Sequence, residues 1–317
     1  MRIALGINIG GTNISVGLVN ELGRILLRKT IPAQASQGGP ALLRRVVRLA
    51  KDTIRNRAIL GIGACMPGQI DPNKGMPLAP TPNIPGWARL PIKKALSGLG
   101  LPVHIENDAN VAALGEQYCG AGRGVKNLIL LTLGTGVGGG IIIDGKIYRG
   151  SFCYAGEVGH VPVPIPPWHK VRCGCGNYGC LETVASATGV VRRMRDRMHE
   201  TGESKASCKD RRKSNKITAK KIFDLARRGR KLELEVVKET GWYLGVAIAG
   251  LINVLDPELV IIGGKMSEAG DILMNQIRLN VRGRTMPSKS KCPRIVRAKL
   301  GGDAGLIGAA ALVFSHE

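Results

Sequence analysis

The sequence predicts an α/β protein built as two similar halves, each opened by a β-hairpin. Ile3 to Asn20 (IALGINIGGTNISVGLVN) and Leu128 to Ile143 (LILLTLGTGVGGGIII) both read as apolar strand, glycine-and-threonine turn, apolar strand. Helical patterns and short apolar runs then alternate behind each hairpin. Two such halves facing each other would bring both turns to one cleft. The chain has 317 residues and is 44% hydrophobic, enough for two domains with real cores and too apolar for a disordered tail. Aromatic residues are only 3%, so those cores must be aliphatic.

The elements follow in order. Residues 40 to 57 (PALLRRVVRLAKDTIRNR) carry apolar residues at helical spacing with Arg and Lys between them, an amphipathic helix. Ile59 to Cys65 is a short buried strand. Pro67 to Trp87 is rich in Pro, Gly and Asn, a long loop of the kind that often carries function. Val103 to Glu106 is a strand and Asp108 to Cys119 a helix. After the second hairpin and its Asp144-Gly145 turn, helices are expected near Thr183 to His199 and Lys231 to Leu255. Leu259 to Gly264 (LVIIGG) is a buried strand ending in two glycines, followed by a helix over Ser267 to Asn280. Ala304 to Phe314 closes the chain as an Ala-rich helix.

Composition narrows the function classes. There are 44 glycines, about twice the usual share of roughly 7%, without a collagen period and in clusters that suggest phosphate-binding turns. The longest apolar run, Leu244 to Leu255, is too short and too interrupted for a membrane span. The start MRIALGINIGG reads as a strand, not a signal peptide, so a cytoplasmic protein without membrane partner is expected. Net charge is +23, and residues 192 to 231 alone hold 16 Lys/Arg against 5 Asp/Glu. Few aromatics interleave there, so the segment is read as a solvated surface without a specific nucleic-acid partner, although its field would draw an anionic substrate. The eight cysteines are Cys65, Cys119, Cys153, Cys173, Cys175, Cys180, Cys208 and Cys292. Without a secretion signal they are not expected to form a disulfide framework.

Three groups of residues carry chemistry. Gly10-Gly11-Thr12 and Gly134-Thr135-Gly136, with Gly263-Gly264, let backbone N–H groups approach phosphate oxygens without Cβ clashes, and Thr adds a hydroxyl donor. Neither turn is a Walker A loop, which needs Gly-Lys-Ser/Thr opening a helix, nor a dinucleotide loop, because a strand follows the glycines. Asn107-Asp108 stands where a strand meets a helix, so Asp108 is either an N-cap or a carboxylate base near a bound hydroxyl. Cys173, Cys175 and Cys180, with His160 or His169, offer the soft ligand set of a closed tetrahedral zinc site. Glu157 and Glu182 add carboxylates to that neighbourhood.

These residues resemble the ROK family (repressors, open reading frames and kinases), and within it the bacterial glucokinases. The segments that carry the resemblance are INIGGTN, TPNIPGW, ENDANVAALGE, TLGTGVGGGI, GEVGH, CGCGNYGCLE, ITAKKIFDLARRG, LINVLDPELVIIGG and DAGLIGAA, spanning Ile7 to Ala310 in family order. The resemblance implies a two-domain actin-like ATPase (ribonuclease H-like) fold with a cleft between the domains. Residues 1–122 with 303–317 would form the smaller domain and 123–302 the larger. It implies transfer of the γ-phosphoryl group of ATP to the 6-hydroxyl of a hexose, with Mg²⁺ and a structural Zn²⁺. Asp108 matches the catalytic base. Gly68, Asn83, Asn107, Asp108, Glu157, His160 and Glu182 match sugar-site positions. Asn8, Gly10, Gly11, Thr12, Asn13, Thr135, Gly136, Gly263 and Gly264 match nucleotide positions. The zinc ligands become His160, Cys173, Cys175 and Cys180, and a homodimer is expected.

Two residues depart from the family pattern. Asn8 replaces the Asp that normally helps hold hydrated Mg²⁺, and Lys265 stands where a third glycine is usual. Asn13 fits, since the family shows both Lys and Asn after GGT. The principal expectation is a glucokinase. The alternatives are a kinase for another hexose or N-acetylhexosamine, a sugar-binding pseudokinase, and a regulator lacking its helix-turn-helix. A hairpin beginning at Ile3 is expected to leave no room for such an extension.

Overall fold

The computed structural model describes residues 1–81, 83–166, 171–201, 217–286 and 292–316. The chain forms two compact units. One comprises Met1–Leu128, Gly140–Gly156 and Lys299–Glu317; the other comprises Ile129–Gly139 and Glu157–Ala298.

In the first unit, β1 (Ile3–Ile9), β2 (Asn13–Asn20) and β3 (Ile25–Pro32) pair antiparallel in succession. β4 (Ile62–Met66) then pairs parallel with β1. After the small hairpin of β5 (Ile70–Asp71) and β6 (Met76–Pro77), β7 (Val103–Asn107) pairs parallel with β4, for the order β3-β2-β1-β4-β7. Helices α1 (Gly39–Ile54), α2 (Ile92–Ser97) and α3 (Asp108–Cys119) belong to this unit. Its core is aliphatic apart from Trp87, which is fully buried.

The C-terminal helix, Ala304–Phe314, also lies in this unit. It rests on a row of glycines, since Gly17, Gly6 and Gly63 are register neighbours across β2, β1 and β4. A Cβ at Gly6 would stand 2.2 Å from the Leu306 carbonyl oxygen, and one at Gly63 would stand 1.7 Å from that of Ala309. On its other side the helix meets α3 equally closely: a Cβ at Gly308 would come within 1.9 Å of the Val111 oxygen. Part of the glycine excess therefore serves close backbone approach rather than phosphate turns.

The second sheet runs β10-β9-β8-β11-β12, from β8 (Leu128–Leu133), β9 (Val137–Ile143), β10 (Lys146–Ile147), β11 (Leu259–Gly263) and β12 (Arg294–Arg297). The second unit carries α4 (Leu181–Ala185), α5 (Ala187–Glu200), α6 (Ala219–Arg227), α7 (Lys231–Leu255) and α8 (Asp271–Arg282) around one core, aliphatic apart from Phe223 and Tyr243.

The hairpins and most helices stand where the periodicity put them; α2, α6, β12 and the β5–β6 hairpin lie beyond what it predicts, and three further differences have a local cause. The single helix expected over Thr183 to His199 is α4 and α5, because Ser186 leaves helical geometry at ψ 167° and its Oγ accepts from Gly189 N–H at 3.1 Å. The helix expected at Ser267 starts later. Lys265–Ala269 is a 3-10 turn, and Gly270 at φ 70° separates it from α8. β3 escaped the reading because ILLRKTIP lies half exposed along its length and alternates poorly in hydrophobicity. No helix among the described residues is long and apolar enough to cross a membrane.

Replacing Gly63 by Ala should destabilise the protein by about 1–3 kcal/mol, the usual cost of overpacking a tight core. Urea unfolding of Gly63→Ala beside Gly68→Ala, whose Cβ would meet nothing within 4 Å, checks this. The Gly63 variant should lose more, even though Gly68 has the left-handed φ of 87° and Gly63 does not.

Candidate active site

Parallel pairing sets the first half of the site. The register places Asn8 beside Cys65, Cys65 beside Glu106, and Met66 beside Asn107. The chain leaves β1, β4 and β7 at the same sheet edge, so the Gly10–Thr12 turn, Gly68 and Asn107-Asp108 share it. The carboxyl ends of parallel strands are where α/β folds bind ligands. Gly10 N–H donates to the Asn13 carbonyl at 2.9 Å, which closes the first turn tightly. Asn13 opens β2. Asn8 lies against the start of the C-terminal helix, where a Cβ at Gly305 would come within 2.5 Å of its Nδ2.

Asn107, not Asp108, is the N-cap of α3, which removes one of the two readings of Asp108. Asn107 Oδ1 accepts from Ala109 N–H at 2.8 Å and Asn110 N–H at 3.1 Å. Its Nδ2 donates to the Gly68 carbonyl at 3.0 Å, tying the loop after β4 to the helix start. Asp108 is exposed at the first helical position, with Oδ1 accepting from Ala109 N–H at 2.9 Å. Its charge also reaches Cys65, whose thiol is pushed well above the ordinary range by burial first and by Asp108 second. Asn83 is exposed in the long loop and faces Gly11, whose Cβ would lie 3.9 Å from that of Asn83. Buried Trp87 anchors this loop through Nε1–H to the Pro67 carbonyl at 3.2 Å.

Sequence reasoning missed the clamp beneath these residues. Glu106 is 1% exposed and accepts from Asn107 N–H at 2.8 Å, Asn110 Nδ2 at 3.1 Å and Arg149 Nε at 2.5 Å. The one available signal was a carboxylate at an inward position of an apolar strand, where burial demands a cation and hydrogen-bond donors.

The second unit gathers the other predicted residues. Val158–His160 forms a 3-10 turn that sits directly on β9, since a Cβ at Gly159 would fall 2.0 Å from the Val137 oxygen. His160 Nδ1 is 3.5 Å from Cys173 Sγ, and its Nε2 is 3.7 Å from Glu157 Oε2. Cys175 and Cys180 have their sulfurs 3.7 Å apart. The ligand atoms of His160, Cys173, Cys175 and Cys180 all lie within 4.8 Å of one another. Tetrahedral zinc at about 2.3 Å from sulfur and about 2.0–2.1 Å from nitrogen requires S···S edges near 3.8 Å and S···N edges near 3.5 Å. The donor set fits Zn²⁺ in kind, and its His160–Cys173 and Cys175–Cys180 edges match those lengths. Burial, ahead of its neighbours, pushes the Cys173 thiol up to about 12, so a thiolate there calls for a cation. His169, the rival fourth ligand, lies outside the described residues.

Glu182 joins this cluster to the second glycine turn. Its Oε1 accepts from Cys173 Sγ–H at 3.4 Å and its Oε2 from Val137 N–H at 3.2 Å. A Cβ at Gly136 would come within 2.3 Å of Oε2. The turn is also tied to the start of α5. Gly134 O accepts from Ala187 N–H at 2.8 Å, and Thr135 O accepts from Thr188 Oγ1 at 3.0 Å. The positive end of a helix dipole therefore stands beside the turn. Gly264 packs on the end of β8, where its Cβ would lie 2.4 Å from the Leu133 oxygen, and its φ of 76° needs glycine.

A pocket of about 360 Å³ opens between the second turn and α6. Ala187, Ala219, Phe223, Met266 and Ala269 make it apolar, and Gly134 and Thr135 line it as well. Arg227 braces one wall. It pairs with Asp224 at 2.5 Å and donates to the Glu268 and Ala269 carbonyls at 3.1 and 2.7 Å. Size and lining suit a flat aromatic heterocycle beside the second glycine turn.

Among the described residues, five basic side chains of the charged segment meet partners in the fold. Arg193 is 4% exposed and pairs with Glu239 at 2.8 Å, while Arg197 pairs with Glu235 and Glu239. Arg192 donates to the Thr183 carbonyl, and Arg230 faces Glu233 at 3.5 Å. Residues 202–216 of this segment lie outside the described residues.

Comparison with known proteins defines the class. The ROK family model matches residues 4–316. The glucokinase of Halalkalibacterium halodurans is 40% identical over 100% of this chain and 96% of its own. The ROK family glucokinase of Streptomyces griseus, solved in complex with glucose and AMPPNP, superposes with a TM-score of 0.81 at 34% identity, covering 99% of both chains. A ROK family transcriptional regulator superposes with a TM-score of 0.85 at 28% identity, covering 99% of this chain and 78% of its own. The chain belongs to the ROK family, and its fold is the actin-like ATPase fold of the family's sugar kinases.

If the four-residue cluster holds zinc, metal analysis of the purified protein should find about one zinc per chain. Cys175→Ser should lose most of it and unfold more easily, because a structural zinc contributes directly to folding. Full zinc occupancy and unchanged stability in that variant would remove the assignment.

Proposed function

We propose that the protein is an ATP-dependent glucokinase that phosphorylates glucose at its 6-hydroxyl. The observation that carries this is the exposed carboxylate of Asp108 on the same strand edge as the Gly10–Thr12 turn. The glucokinase relatives and the superposition on a glucokinase bound to glucose and AMPPNP support the choice of sugar and donor.

In this reading Asp108 accepts the 6-hydroxyl proton as the oxygen–phosphorus bond forms and the bond between γ-phosphorus and the β,γ-bridging oxygen breaks. A hydroxyl is a poor nucleophile until such an acceptor is within reach, and the rest of phosphoryl transfer is positioning and charge neutralisation. Asn83, Asn107, Glu157, His160, Glu182 and the Gly68 loop bind the sugar. Because Asn107 already caps α3, its share is to hold the Gly68 loop and offer its remaining amide hydrogen. Gly10–Asn13, Thr135-Gly136 and Gly263-Gly264 hold the nucleotide. His160, Cys173, Cys175 and Cys180 would hold a structural Zn²⁺, which supplies orientation and no open position for water. The hard oxygens of Asn8 and Asp108 suit the outer sphere of Mg²⁺ brought in with ATP. The same reading takes the enzyme as a cytoplasmic homodimer without a sequence-specific nucleic-acid partner.

Asn8 favours one second reading, a sugar-binding pseudokinase, since the family's usual carboxylate is missing there. A coupled assay over a hexose panel with ATP and Mg²⁺ separates the two. Glucose turnover is expected, and sugar binding without turnover would favour the pseudokinase.

Asp108→Asn should abolish phosphorylation while glucose binding by calorimetry stays largely intact, because Asn keeps the shape but takes no proton. Turnover near the native rate would reduce Asp108 to a surface residue.

Asn8→Asp should raise kcat, lower the Mg²⁺ needed, or both. A preorganised polar contact in a catalytic site is worth about 10²–10³ in rate, and the isosteric Asn should forfeit only the lower part. Measuring kcat against Mg²⁺ for both forms decides it.

A further inference from the structure

We infer that Lys265 is a phosphate-anchoring residue that tightens binding of nucleoside di- and triphosphates to this chain. The inference rests on the nucleotide pocket proposed above and adds a ligand that the family's glycine at this position cannot supply.

The argument begins with backbone geometry. Gly264 is pressed onto β8, its Cβ position 2.4–2.7 Å from the Leu133 backbone, and Leu133 runs directly into Gly134-Thr135. Lys265 is the next residue after Gly264 and the first of the Lys265–Ala269 turn. Its side chain is exposed and lines the pocket together with Gly134 and Thr135. The ammonium is thus tethered one residue from the backbone contact that fixes the phosphate turn.

The other charges of the pocket are differently disposed. Arg227 is consumed by Asp224 and two carbonyls, so it holds the wall. Among the described residues Lys265 makes no ion pair or side-chain hydrogen bond, and the same holds for Lys220, which lies across on α6. A flexible ammonium of this kind, beside a turn of backbone N–H groups and the N-terminus of α5, adds a point charge where anionic oxygens would lie. The apolar side chains Phe223 and Met266 serve the base instead. The prediction is therefore selective: Lys265 discriminates by phosphate, not by nucleoside.

The test is equilibrium binding of adenosine, ADP and AMPPNP without Mg²⁺ to the native protein, Lys265→Gly, Lys265→Met and Lys265→Arg. Adenosine affinity should be unchanged throughout. ADP and AMPPNP should weaken about fivefold in both the Gly and Met variants, the scale of one exposed ion pair, and Arg should restore them. The difference should shrink in 1 M salt, where the Debye length falls to about 3 Å. Equal weakening of adenosine would assign Lys265 to the nucleoside and overturn the inference. Native ADP affinity in the Gly and Met variants would overturn it while leaving the pocket intact. A native protein that binds none of the three ligands would overturn the pocket reading, and the inference with it.

Discussion

The close approach of the C-terminal helix to the first sheet is the constraint on which the first unit depends. Gly6 and Gly63 have no Cβ because the backbone of Leu306 and Ala309 occupies that space. The helix in turn seats α3 through Gly308 against Val111, and α3 carries Asp108 at its first position. The same helix start puts Gly305 against Asn8. A glycine row deep in the sheet thus decides where the candidate base stands and what lines the first glycine turn. Packing at this density leaves no slack for a methyl group, so strain is passed along and not absorbed.

Asn107 and Glu106 then convert position into orientation. The single amide of Asn107 caps α3 with its oxygen and holds the Gly68 loop with its nitrogen. Beneath it, Glu106 gathers two donors from the first turn and one from Arg149. A buried carboxylate is tolerable only when its oxygens are this well satisfied. The outcome is a strand-to-helix junction in which Asn107 caps the helix and the Asp108 side chain is exposed.

The second unit uses the same economy. Glu182 touches Cys173 of the His-and-Cys cluster and Val137 of the glycine hairpin, so one carboxylate couples two loops far apart in sequence. Charge is likewise reused. The segment that reads as the most basic in the chain spends Arg192, Arg193, Arg197, Arg227 and Arg230 on internal partners. The acids they meet lie mostly on α7, outside the segment counted, so a window of linear charge leaves out part of their neutralisation.

Local chemistry was legible in the sequence. Glycine-and-threonine turns between apolar strands, a strand meeting a helix at Asn107-Asp108, and cysteines spaced two and five apart each carry their physical meaning within ten residues. The alternating pattern announced two α/β halves, and the motif order announced the family. Partners distant in the chain were not legible. That Asn107 Nδ2 also holds the Gly68 carbonyl, 39 residues upstream, depends on the path of the loop after β4. That Glu106 needs Arg149, 43 residues on, depends on parallel pairing of β4 with β7 and the path of a later loop. The glycines inside β1 and β4 have no legible role until a helix more than 240 residues later lies upon them. Short-range sterics and hydrogen bonding are written in residue type and spacing; which groups share one buried volume is decided only when the whole chain has packed.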